Sequence, residues 1–301
     1  MIVDSPAHVF PEVMSRLMPE RLRSGAREWL KPFVNSMHGL QPFVRVIPEP
    51  ARRHIERLGA IAPLPSLLVE SGPKDLKSAM ASAGIDRAVV ISHPPIIDND
   101  FILEVCQEHP ELIPAVNITR GASRPGITLA RYVKKGAKAL KIHASADGDP
   151  LSSPRYAALL KEADKQGLTV ILHSGCNHIP FLYKNPELSE ARNFIPWFRK
   201  YPKLRFVLAH MNFHDPQAAL DLAESYANVF VDTSWQPTET IGEAVRRLGA
   251  DRILFGSDWP LVGNNVAVGL RRIQTCLETG LLSQVDVDLI QGENARRLFA
   301  L

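Results

Sequence analysis

Three stretches of the chain end an apolar run in a residue that can do chemistry. The first, Ile253-Leu254-Phe255-Gly256-Ser257-Asp258-Trp259-Pro260, passes from three apolar residues through glycine and serine to a single acid. The second, Leu168 to Gly175, ends in His173, and the third, Leu204 to His210, ends in His210. A short apolar run closed by Gly or Pro reads as a buried parallel strand, and in parallel α/β folds the carboxyl ends of strands carry the chemistry. The same logic adds His8 after strand one, His93 after strand two and Arg120 after strand three. Strand four contributes Lys141 and His143, and strand seven contributes Asp232. Several histidines and an aspartate converging on one opening have the composition of a divalent transition-metal site. Neutral imidazole and carboxylate suit zinc, manganese or iron, with water completing the shell. Such an ion brings the pKa of its water towards ~7.

The elements that must position these residues follow a repeating order. Strands are expected at Met1–Val3, Arg87–Ser92, Leu112–Ile118, Ala139–His143, Thr169–His173, Arg205–His210, Val229–Asp232 and Ile253–Phe255. The helices between them are expected at Lys74–Ala83, Phe101–Glu108, Thr128–Lys135, Pro154–Gln166, Glu190–Tyr201, Pro216–Tyr226 and Thr238–Leu248. Val266–Glu278 and Asp286–Phe299 close the chain as helices. The strands are apolar on consecutive residues, as strands covered on both faces are. Eight strands each followed by a helix predict an α/β fold, a (β/α)8 TIM barrel, as one domain over 1–301. A doubly wound open sheet is the runner-up, but no Gly-rich phosphate turn follows an early strand. Residues 11–72 break the rhythm. Eight of the 24 prolines lie between Pro11 and Pro65, with amphipathic pieces at Arg16–Leu30 and Ala51–Leu58. This predicts a Pro-rich, mostly helical insertion after strand one, acting as a lid or as a subunit interface.

Composition removes several classes of function. The 35 basic and 32 acidic residues leave a net charge of +3, which is no footprint for nucleic acid or an anionic membrane. No apolar run approaches the ~18–20 residues of a membrane span. Met1-Ile2-Val3-Asp4 lacks the basic start and apolar core of a signal peptide. Cys106, Cys176 and Cys276 are odd in number and far apart, so no disulfide framework is expected. These features point to a cytoplasmic protein whose partner is a small-molecule substrate. A homo-oligomer built through the insertion stays open.

The motifs Asp4-x-x-x-His8, LKIHA, ILHSG, FVLAHM, ILFGSDWP and the closing ENARRLF resemble the amidohydrolase superfamily. The similarity is to the amidohydrolase-related branch that includes relatives of aminocarboxymuconate-semialdehyde decarboxylase and pyrone dicarboxylate lactonase. It covers nearly the whole barrel. The resemblance implies that His173 is a metal ligand, that His210 polarises substrate or water, and that Asp258 is a ligand or the proton acceptor for the attacking water. One departure matters. The family usually opens His-x-His, and this chain has Pro6-Ala7-His8. His8, His173 and Asp258 still supply three ligands for one divalent ion, expected to be zinc. Metal-independent lactonases also occur in the branch.

Lys141 stands where dinuclear relatives place a carbamylated bridging lysine, although binding an anionic substrate or a structural role is the favoured expectation. Arg120 could grip a substrate carboxylate through its fork of donors, or form a surface ion pair. His143, His178, His214 and Trp259 are candidates to line the pocket, Trp259 as wall. Cys176 shows no obvious base in the sequence, so covalent thiol catalysis is not expected. His38, His54 and His109 read as packing or surface residues. The leading expectation is hydrolysis of a small, carboxylated amide or lactone, with Asp258 and His210 as catalytic residues. The alternatives are non-oxidative decarboxylation of an aromatic or unsaturated acid, and a non-catalytic binding barrel.

Overall fold

The computed structural model describes residues 1–11, 19–44, 46–59, 64–176, 178, 183–261 and 265–301. Eight strands lie in sequence order in one parallel sheet: β1 (Val3–Ala7), β2 (Arg87–Ile91), β3 (Leu112–Val116), β4 (Ala139–Ile142), β5 (Thr169–His173), β6 (Arg205–Ala209), β7 (Val229–Asp232) and β8 (Ile253–Leu254). The sheet closes on itself. Beyond β8, Ala7 bridges Trp259, the Ser5 N–H donates to the Phe255 carbonyl at 2.9 Å, and Asp258 N–H donates to Pro6 at 2.8 Å. Gly256 is needed at this seam, because a Cβ there would run into the Ser5 carbonyl. The eight-stranded barrel expected from the sequence is therefore present.

Strand β1 continues to Ala7, well beyond the expected Val3. Its register with β2 shifts between Asp4 and Ala7, an irregularity that accommodates Pro6, which has no N–H for a ladder. On β2 to β6 and β8, residues two apart point into the barrel. Val89 and Ile91, Ile113 and Ala115, Ala139, Ile171, Val207 and Leu254 fill its interior with Val3, and Ala295, Leu298 and Phe299 plug the bottom. By the same period Lys141 and His173 continue the inward rows towards the mouth.

The helices are α1 (Glu20–Val44), α2 (Glu49–Gly59), α3 (Leu64–Val69), α4 (Pro73–Ala83), α5 (Asn99–Glu108), α6 (Pro125–Lys134), α7 (Ala144–Asp147) and α8 (Pro154–Gln166). They continue with α9 (Ile195–Lys200), α10 (Pro216–Ser225), α11 (Thr238–Leu248), α12 (Asn265–Glu278), α13 (Gln284–Asp288) and α14 (Asn294–Phe299). Helices α4, α6, α8 and α10 each open on proline, whose missing N–H is harmless in a first turn. The described part of the insertion is helical, as expected: α1, α2 and α3. Residues 12–18 and 60–63 of it, including the start of the expected 16–30 helix, lie outside the described residues.

Two expected helices are interrupted. The single helix at 190–201 is instead one 3-10 turn, Ala191–Phe194, followed by α9, because Pro196 forces a new helix start; a further 3-10 turn, Pro186–Ser189, precedes it. The closing helix at 286–299 contains a π-helical turn, Leu289–Glu293. It frees the Ile290 carbonyl to accept from Phe255 N–H at 2.8 Å, which takes Phe255 out of the ladder and shortens β8 to two residues. Among the described residues no helix is long and apolar enough to cross a membrane.

Candidate active site

Asp258 is the centre of the mouth. It follows β8 in a left-handed backbone conformation, with φ of 58°, and its side chain is buried. Ser257 anchors the turn by donating its N–H and Oγ–H to Asp4 at 2.7 and 2.6 Å. The Asp258 carboxylate accepts from the Trp235 indole N–H at 2.8 Å and lies 3.2 Å from His8 Nε2. His210 Nδ1 is 3.9 Å from Oδ2, the oxygen that Trp235 holds, while His8 faces Oδ1. Burial opposes ionisation of this carboxyl. The neighbouring His210, the His8 hydrogen bond and Trp235 outweigh that and hold it down at about 2, so Asp258 is a carboxylate at neutral pH.

His210 opens a turn in which four consecutive residues, His210 to Phe213, have positive φ. None is glycine, so the turn is strained and needs external support. Asn212 supplies part of it, accepting from Ala191 N–H and donating to Glu190, while Gln236 donates to the His210 carbonyl. The tautomer of His210 follows from its neighbours. Asp232 Oδ1 accepts from the His210 and Ser234 backbone N–H groups and from the Ser234 hydroxyl. The Ser234 proton is thus committed, and Ser234 Oγ can only accept from His210 Nδ1, 2.7 Å away. His210 therefore carries its proton on Nδ1 and keeps a lone pair on Nε2. Burial keeps the ring neutral, with a pKa of about 4. With the proton on Nδ1, Nε2 is the nitrogen that can accept a hydrogen bond from a water at the mouth.

His173 lies at the end of β5, its ring 5.2 Å from that of His210 and stacked at 3.8 Å on His143. Its Nε2 is buried with no hydrogen-bond partner. Burial above all, with the Lys141 charge, holds its pKa well below the usual value, so an unprotonated nitrogen is available. His93 joins this stack through His143, 5.1 Å away, and burial brings it down to about 4. Lys141, on the inward row of β4, is 3% exposed. Burial lowers it to about 8, against the pull of Asp258 and Asp232.

The donor chemistry of His8, His173 and Asp258 suits a divalent ion, and the unpartnered His173 nitrogen is the atom such an ion would satisfy. His8 and Asp258 already stand at the spacing of two donors on one ion, but the three donor atoms do not all lie within 4.8 Å of one another. Closing the set requires His173 and the His8–Asp258 pair to draw together.

Other expected site residues divide. His143 joins the imidazole stack. His178 is buried near the mouth but is held by Glu56 of α2, with Nδ1 to Oε2 at 3.0 Å, and His214 meets the same carboxylate at 2.9 Å. Arg120 is not delivered to the imidazoles. Its side chain is 57% exposed and pairs with Asp149 at 2.8 Å, the ion pair that the sequence leaves open as the alternative to gripping substrate. Trp259 also turns away: it packs in the helical layer and lines a cavity of about 310 Å³ with Arg27, Asp75 and Val266. Its neighbour in sequence, Asp258, takes the inward direction instead. His38 is buried in α1 and stacks on Trp235 at 5.6 Å, so the insertion reaches the indole that holds Asp258.

Sequence reasoning missed Trp235, Ser234, Phe213 and Tyr183. Phe213 packs 4.5 Å from His210, and Tyr183 packs 5.1 Å from His143. Trp235 and Ser234 follow the β7-terminal Asp232 by three and two residues, so the strand-end rule could have found them. Glu56 carries no signal of this kind.

The fold has many solved counterparts. A TIM-barrel protein of Bordetella bronchiseptica is 18% identical, with TM-score 0.65, covering 99% of this chain and 98% of that one. The 5-carboxyvanillate decarboxylase of Novosphingobium aromaticivorans, solved with bound manganese, is 16% identical, with TM-score 0.66 and coverage of 100% and 97%. A Pseudomonas putida protein described as a 2-pyrone-4,6-dicarboxylic acid hydrolase is 19% identical, with TM-score 0.61 and coverage of 99% and 97%. At these identities the likeness speaks to the fold. No curated protein sequence matches. The sequence profile of the amidohydrolases matches residues 3–301, end to end across the barrel that carries His8, His173, His210 and Asp258, and the chain belongs to the amidohydrolase family.

Proposed function

We propose that this protein is a hydrolase that adds water to a small, carboxylated amide or lactone at the barrel mouth. The observation that carries the reading is Lys141. Burial disfavours the ammonium and brings it to about 8 although Asp258 and Asp232 favour the charge, so an anion entering the mouth would stabilise the charged lysine further. A substrate carboxylate is such an anion. The related structures include proteins described as acting on carboxylic acids, a 2-pyrone-4,6-dicarboxylic acid hydrolase and a 5-carboxyvanillate decarboxylase, which supports the same choice.

In this mechanism Lys141 takes the substrate carboxylate and fixes the scissile carbonyl near Asp258. Asp258, ionised and oriented by Trp235, accepts a hydrogen bond from the attacking water and takes its proton. His210, locked in its Nδ1–H form, offers Nε2 as an acceptor that steadies the same water. His8, His173 and Asp258 would hold one divalent ion, zinc by donor type, with manganese compatible. When bound, that ion would polarise a carbonyl or acidify water. The three unpaired cysteines agree with a cytoplasmic setting.

Decarboxylation is the second reading, favoured by the decarboxylases among the structural relatives. A panel of carboxylated lactones, amides and aromatic acids in ¹⁸O-labelled water separates the two. Label in the product acid is expected. Carbon dioxide release without label would establish the lyase instead.

A further inference from the structure

Beyond the imidazole cluster, the loop after β5 and helix α2 of the insertion build a second constellation. Cys176 Sγ lies 3.6 Å from His178 Nε2. With a Glu187 carboxylate oxygen these atoms fall within 4.8 Å of one another, and they are the one such group among the described residues. The other side of His178 is fixed. Its Nδ1 and its backbone N–H both meet Glu56 Oε2, at 3.0 and 2.8 Å. A carboxylate accepts, so Nδ1 carries the ring proton and the Nε2 lone pair faces the sulfur. The His178 side chain is 6% exposed, so solvent does not satisfy that lone pair.

We propose that Cys176, His178 and Glu187 bind a divalent cation, zinc by its donor set, at a site separate from the barrel mouth. Three observations converge on it. Zinc bonds of ~2.3 Å to sulfur and ~2.0–2.1 Å to nitrogen, at a tetrahedral angle, place the two donors about 3.6 Å apart. A thiolate ligand selects zinc over manganese or magnesium. The carboxylate behind His178 is the usual means of orienting a metal-binding imidazole. Binding releases the Cys176 thiol proton to solvent as the sulfur–metal bond forms. Glu187 is exposed, so water completes the shell from the open side.

Glu56 and Arg53 both lie on α2, and Arg53 reaches Glu187 at 3.4 Å. All three proposed ligands lie after β5, and α2 of the insertion braces them from outside through Glu56 at His178 and Arg53 at Glu187, so the insertion helps to set the geometry of the site.

Cobalt substitution in the full-length chain tests the proposal without any activity assay. A thiolate ligand gives a near-ultraviolet charge-transfer band that imidazole and carboxylate ligands at the mouth do not. The band is expected to saturate with one thiolate-bound cobalt per chain, counted beside any cobalt at the mouth, to vanish in Cys176→Ala and to weaken in Glu187→Gln. It should persist in Cys106→Ser, and in His173→Ala, which disables the mouth alone. Zinc should slow alkylation of Cys176 by iodoacetamide about tenfold once it exceeds its dissociation constant by roughly that factor. Absence of the band from folded protein overturns the proposal, as does a band that survives Cys176→Ala. So does alkylation indifferent to zinc, which would leave Cys176 and His178 as a simple thiol–imidazole hydrogen bond.

Discussion

The indole N–H of Trp235 is 2.8 Å from Asp258 and, among the described residues, is the one side-chain donor to that carboxylate from the loop after β7. Trp235 holds this position in a left-handed backbone conformation, φ 63°, with His38 of the insertion stacked on its ring. A residue kept in a strained conformation to aim one hydrogen bond at the central acid has a positioning role. Trp235→Phe keeps the ring and deletes the bond. A hydrogen bond to a charged group contributes about 1.5–3 kcal/mol, so kcat/KM should fall by roughly 10- to 100-fold with the fold intact by circular dichroism. Unchanged kinetics would remove Trp235 from the site.

The Asp232–Ser234–His210 chain sets which nitrogen of His210 is free. Ser234→Ala removes the acceptor for Nδ1–H and lets the ring change tautomer. Turnover should drop about tenfold, the order found when such supporting contacts are lost, with Ser234→Thr restoring it. Nitrogen NMR of labelled histidine should show the Nδ1–H form in the parent and a mixture in the alanine variant. A mixture already present in the parent contradicts the assignment.

Lys141 predicts a pH-dependent stability. Its pKa is about 8 in the folded chain, lowered mainly by burial, against 10.5 when solvated. Between those values the unfolded chain binds more protons than the folded one, so stability rises as pH climbs through this window. Below pH 8 the full penalty applies, about 3 kcal/mol from the difference. Lys141→Met should therefore stabilise the protein at pH 7, by up to that amount, and the advantage should shrink towards pH 10. Urea midpoints at the two pH values read this out. An advantage independent of pH would rule out a buried, protonated lysine as its source.

Metal removal tests the mouth itself. Protein stripped with a chelator should lose turnover and recover it on addition of zinc or manganese, and His173→Ala should abolish the recovery. Full activity of the stripped protein would leave Lys141, His210 and Asp258 to act without an ion.

The barrel seam offers a purely structural test. Gly256→Ala places a methyl against the Ser5 carbonyl, backbone that cannot swing aside. Destabilisation of about 1–3 kcal/mol is expected from such overpacking, measured as a shift in denaturation midpoint.

Apolar runs punctuated by Gly and Pro are local signals, so the eight strands, their order and the residues at their ends could be read directly. His8, His173, His210 and Asp258 all lie at the mouth end of the barrel because a closed parallel sheet brings every strand's carboxyl end to one rim. Side-chain direction past a strand end is another matter. Adjacent residues 258 and 259 separate, one into the mouth and the other into the helical layer, because the backbone turns between them. Arg120 leaves the mouth for Asp149 for the same reason. Contacts between distant segments were also beyond reach: Glu56 and His178 are 122 positions apart, and nothing near either residue in sequence announces the other. The sequence by itself determined the scaffold and its cast of strand-end residues, because those depend on neighbours along the chain. The tertiary structure alone decided the tautomer of His210, the grip of Trp235 on Asp258 and the Cys176–His178–Glu187 cluster, because those depend on neighbours in space.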